Sequence, residues 1–60
     1  MTTTAKLSPY EVRHYATNLS AFSAEASDRQ IALHVERGDF GTDDAQRIVD
    51  VTAFYRRFGL

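Results

Sequence analysis

The chain has 60 residues, a formal net charge of −1, 25% charged side chains and no cysteine. Without cysteine, disulfides and thiolate-held metals are excluded, and the balanced charge lacks the basic surplus of a dedicated nucleic-acid binder. A chain this short is one domain at most, spanning 1–60, and no apolar run approaches the ~20 residues that cross a bilayer.

Met1 to Ala5 is Thr-rich with no apolar stretch behind it, so no signal peptide fits and the cytoplasm is the expected location. Residues 1–6 read as a flexible N-terminal tail. Charge is uneven along the chain. Residues 1–24 carry Lys6 and Arg13 against Glu11, 25–50 carry three arginines against seven acids, and 51–60 add Arg56 and Arg57. The three segments therefore sum to +1, −4 and +2.

Three helices are expected, at about 8–25, 28–37 and 42–58, making a compact all-α domain. Ser8 can cap the first, with Pro9 in the first helical position and Glu11 closing a Ser-x-x-Glu capping box. Leu7 and Val12 are spaced for a hydrophobic staple across that cap. Val12, Tyr15, Ala16, Leu19, Phe22 and Ala26 then recur at three- and four-residue steps along one face. A break follows, because the chain must fold back to bury Phe22, and Ser27 with Gln30 offers the next capping box. Ile31, Ala32 and Val35 share a face of the second helix, and Leu33 points nearly opposite. Gly38 is a natural stop.

Phe40, in the connector Gly38-Asp39-Phe40-Gly41, is expected to tuck inward as a plug. Thr42 can cap the third helix, with Asp43 and Asp44 at the positive end of its dipole. Arg56 and Arg57 fall in the last turn, where cations are favoured, and Gly59 ends it. Ala45, Ile48, Val49, Thr52 and Tyr55 form its core stripe. Val51, Phe54 and Phe58 widen that stripe past the arc of an ordinary surface helix.

Catalytic and metal signals are weak. His14 falls on a polar face, and His34 near a helix end reads as surface packing or a C-terminal charge. A calcium loop started at Asp39 would need an oxygen ligand at its third position and glycine at its sixth; Gly41 and Asp44 stand there instead. No Ser or Thr sits in a nucleophile elbow, and Gly38-x-x-Gly41 is too short and acidic for a phosphate loop. Three short helices leave little room for a ligand pocket. An enzyme is not expected, nor is a cofactor, a metal or a small-molecule substrate.

A helix-turn-helix reading of residues 30–50 would start its recognition helix on Thr42-Asp43-Asp44, setting acids against phosphates. Val35-Glu36-Arg37-Gly38-Asp39-Phe40-Gly41-Thr42 resembles, over about eight residues, the turn between the helices of ribbon-helix-helix antitoxins. The resemblance implies a small DNA-binding regulator of the antitoxin type, with Lys6, Arg13, Arg56 and Arg57 on phosphates. Gln46 and Arg47 depart from it, standing where that family carries paired apolar residues. The DNA-reading strand ahead of the first helix is also missing in that register.

A 60-residue domain buries only about 60% of its unfolded surface, so association is a ready means of completing the core. Leu33, Val51, Phe54 and Phe58 are the residues a lone three-helix monomer has difficulty hiding. With Arg47, Arg56 and Arg57 at the rim, they form the candidate interaction surface, since aromatics beside arginines are the composition of interface hot spots. The leading expectation is a non-enzymatic protein–protein interaction module that pairs with a second copy as a homodimer or with another protein. Its role would be regulatory or inhibitory, and DNA binding is the alternative.

Overall fold

The computed structural model describes residues 7–59. Three helices follow in order: α1 (Pro9–Leu19), α2 (Ala24–Arg37) and α3 (Thr42–Phe58). The expected flexible tail, with Lys6 in it, lies outside the described residues.

The first start signal is realised in full. Ser8 Oγ accepts the Glu11 N–H at 3.1 Å, and Glu11 Oε1 accepts the Ser8 N–H at 2.8 Å. Pro9 follows in the first turn, where its missing N–H costs nothing. Leu7, just before the cap, packs on the core cluster that contains Val12.

The break between the first two helices comes earlier than its spacing suggested. α1 ends at Leu19, not near 25, and α2 begins at Ala24, not near 28. Two serines account for it. Ser20 Oγ donates to the Thr17 carbonyl at 2.9 Å, closing α1. Ser23 Oγ accepts the Ala26 N–H at 3.1 Å, opening α2. Ser23, not Ser27, is the cap. Ser27 lies inside α2 and is buried, with its hydroxyl donating to the Ala24 carbonyl. Phe22 falls in the connector and stays 52% exposed, so its burial is not what turns the chain.

Gly38 ends α2 as expected. Its φ of 83° lies in the left-handed region that glycine enters without a Cβ clash. The Gly38 N–H reaches the Val35 carbonyl at 3.0 Å and the Asp39 N–H reaches His34 at 2.9 Å, the pair of bonds that defines a Schellman end. The side chains of the same two residues also meet, Asp39 Oδ2 lying 2.7 Å from His34 Nδ1. A hydrophobic contact usually bridges these positions; here an acid–imidazole contact does so.

α3 starts without a side-chain cap. Gly41 occupies the N-cap and Thr42 is already helical, so the threonine hydroxyl does not take the role its spacing suggested. Asp43 and Asp44 remain in the first turn, Arg56 and Arg57 in the last.

α3 packs against both other helices, most extensively against α1. Leu7 meets Asp44 near the start of α3, and Leu19 meets Arg56 near its end. α1 and α3 therefore run parallel. Ser27, early in α2, also meets Arg56, so α2 returns antiparallel beside them. Val12, Leu19, Ile31, Phe40 and Ile48 form the buried cluster. Val35 packs on it, whereas Ala32, expected on the same face, is exposed.

Phe40 plugs the open end between the helices, as expected. Its ring lies 5.2 Å from that of Tyr15, edge-on, and 5.4 Å from that of His34, nearly stacked. Replacing a buried phenylalanine by alanine costs about 3–5 kcal/mol, comparable to the whole stability of a small domain. Phe40→Ala is therefore expected to abolish the cooperative helical melt followed by circular dichroism.

Candidate interaction surface

Asp44 is 1% exposed in a helix that otherwise keeps its charges in water. A buried carboxylate is costly unless hydrogen-bonded, and this one is served from two sides. Oδ2 accepts the Leu7 N–H at 3.0 Å, and Oδ1 accepts Arg47 Nη1 at 2.8 Å. Arg47 Nη1 also donates to the Leu7 carbonyl at 2.9 Å. Both backbone groups of Leu7 are thus held by one turn of α3. Asp44 had the look of a helix-dipole partner; no local pattern says that a backbone N–H from 37 residues earlier will meet it.

Arg56 holds the other end of α1. Its Nη2 donates to the Phe22 carbonyl and to Ser27 Oγ, both at 3.1 Å, and more weakly to the Leu19 carbonyl at 3.4 Å. The last carbonyls of a helix lack intrahelical partners, and a guanidinium with several donors can serve more than one acceptor. Arg56 is thus engaged between α1, its connector and α2. It does not stand at the rim of an apolar patch.

With α1 fixed parallel to α3, an open groove of about 460 Å³ remains between them. Pro9, Val12 and Arg13 line one wall, and Arg47, Val51 and Phe54 are prominent on the other, with Asp50 and Tyr55. This volume falls within the range of ligand pockets, larger than three short helices led us to expect. Val51 is half-buried against the core, whereas Phe54 is 56% exposed and Phe58 67% exposed. The two phenyl rings pack on each other at 4.8 Å, and the Arg57 guanidinium lies 5.7 Å from the Phe58 centroid.

Of the seven residues expected at the surface, the groove gathers Arg47, Val51 and Phe54, with Phe58 and Arg57 continuing along α3. Leu33 is not among them. It is 42% exposed, and two residues from the buried Ile31 it faces away from the core side of α2. Pro9, Val12, Arg13, Asp50 and Tyr55 were not foreseen as part of the surface. The signal in the sequence reached only the α3 wall: Arg47, Val51, Phe54 and Phe58 are spaced four, three and four apart, a heptad seam beside the core stripe.

His14 is exposed and stacks on Tyr10 at 6.3 Å, while His34 is held by Asp39, Tyr15 and Phe40. Among the described residues no group of three histidine or carboxylate side chains is placed to hold a metal ion. No helix among them is long and apolar enough to cross a membrane. Compared with protein-family models, curated proteins and solved structures, the chain matches none.

Two stability measurements test these placements. Hydrogen bonds to charged groups contribute about 1.5–3 kcal/mol, so Asp44→Ala should lower the urea-unfolding free energy by about 2 kcal/mol. Asp44→Asn, which can still accept the Leu7 N–H, should lose roughly half of that. Leu33→Gln should leave stability within about 0.5 kcal/mol of the parent, as expected of an isolated surface position. A loss of several kcal/mol at Leu33 would mean that its side chain is structural.

Proposed function

We propose that this chain is a small, non-enzymatic protein–protein interaction module of the cytoplasm that pairs with a second copy of itself. In this reading the association underlies a regulatory or inhibitory role. The observation that carries it is the exposed Phe54–Phe58 pair, continuous with the apolar groove that Val12 and Val51 line. Aromatic side chains dominate interface energetics, since each removes a large apolar area from water at a cost of few rotatable bonds. Arg13, Arg47, Asp50 and Arg57 surround the apolar strip and supply the polar rim of an interface. Association also supports a fold of this length, because any species that binds only the folded state stabilises it.

The DNA-binding alternative draws on Lys6, Arg13, Arg56 and Arg57. Arg56 is already engaged with carbonyl oxygens and Ser27, so a phosphate would have to displace contacts that close α1. No feature of the groove favours that reading.

The pairing is tested by sedimentation velocity at two concentrations about a hundredfold apart. The parent chain should shift from monomer toward dimer as concentration rises. Phe54→Ser/Phe58→Ser should remain monomeric at both, with its helical circular dichroism retained because both rings lie outside the core. A parent chain that is monomeric throughout overturns the proposal.

A further inference from the structure

We infer that the second copy docks antiparallel, α3 against α3, with Asp50 of each copy facing Arg57 of the other. This rests on the self-association proposed above and specifies its geometry. The seam is the outer stripe Arg47, Val51, Phe54 and Phe58, whose 4-3-4 spacing places all four on one side of α3, away from the buried Ile48 and Thr52. A helix presented with such a seam accepts a partner helix carrying the same spacing, and a second copy of α3 carries it.

Charge decides the direction. Asp43 lies in the first turn of α3, Asp50 at its centre and Arg57 in its last turn, each seven residues from the next. They therefore flank the seam on one side as a single row, acidic at one end and basic at the other. Two copies laid parallel in register would hold these rows on opposite sides of the seam, with Asp50 beside Tyr55 of the second copy, so that Asp50 and Arg57 never meet. Laid antiparallel about the midpoint between Val51 and Phe54, Val51 of one copy meets Phe54 of the second, and Phe58 meets Arg47. Asp50 then stands across from Arg57 twice over, by the two-fold symmetry of such an interface. The helix dipoles also oppose, which favours the same direction. Neither charge is tied into the core. Asp50 accepts only the neighbouring Gln46 amide at 3.0 Å, and Arg57 lies over its adjacent Phe58.

Sedimentation velocity at low salt, where exposed charges are least screened, tests the arrangement on the parent chain and three variants. Asp50→Arg and Arg57→Asp, each alone, juxtapose like charges at both crossing points and should weaken the dimer by about tenfold or more. An equimolar mixture of the two variants restores an opposite-charge pair at both points and should recover dimer at the parent concentration. Because both positions are exposed, the helical circular dichroism of each variant should match the parent, and Asp50→Arg/Arg57→Asp in one chain should dimerise unaided. A dimeric parent whose single variants dimerise equally well, or whose mixture fails to recover, overturns the antiparallel register and leaves self-association standing. A parent that is monomeric at every concentration overturns both.

Discussion

The structure depends on α1 being held to α3 at both of its ends. At one end Asp44 and Arg47 take the N–H and the carbonyl of Leu7; at the other, Arg56 donates to the carbonyls of Leu19, the last residue of α1, and of Phe22 in the connector. A short helix is marginal in water by itself, since the hydrogen bonds of its few turns barely offset nucleation. α1 has only 11 residues, and its hydrophobic stripe alone would allow it to slide or tilt along α3. Three polar side chains on one helix fix its position, and each spans more than 30 residues of sequence except in the contact with Ser27.

That constraint explains how the apolar surface of α3 is divided. Ile48 and Thr52 are consumed by the core, and the Thr52 hydroxyl is satisfied by the Ile48 carbonyl at 2.6 Å. α1 lies parallel along one flank of that core stripe and α2 along the other. The sector beyond α1 is left open, with Val51 half-buried at its edge and Phe54 and Phe58 exposed on it. Two helices cannot surround a third completely. The excess hydrophobicity of α3 is thus a consequence of having two neighbours where a larger domain would supply three.

The same geometry separates two roles for arginine that look alike in sequence. Arg56 and Arg57 are adjacent cations in the last turn of α3, both favoured there by the helix dipole. The 100° between successive residues turns Arg56 toward the α1–α2 connector and Arg57 toward the outer seam. One closes the fold, and the other flanks the surface proposed for pairing. Arg47 does both, anchoring Leu7 while lining the groove.

The sequence by itself determined that there are three helices, and it determined their sharpest boundaries: the Ser8–Pro9–Glu11 start, the Gly38 stop and the inward plug at Phe40. Each of these is decided by residues within five positions of one another, through backbone capping or a single apolar side chain between two glycines. The α1–α2 break was legible as an event but misplaced, because Ser20, Ser23 and Ser27 are chemically equivalent candidates. Ser27 is taken into the core and held by Arg56, and Ser20 turns back on the Thr17 carbonyl, which leaves Ser23 to cap α2. Only the tertiary structure decided that Asp44 is a buried anchor, that Leu33 stands apart from the aromatic seam, and that the groove runs between α1 and α3. Those outcomes hang on contacts between residues 29 to 40 positions apart and on the direction in which α1 lies against α3, and no periodicity within a helix encodes them.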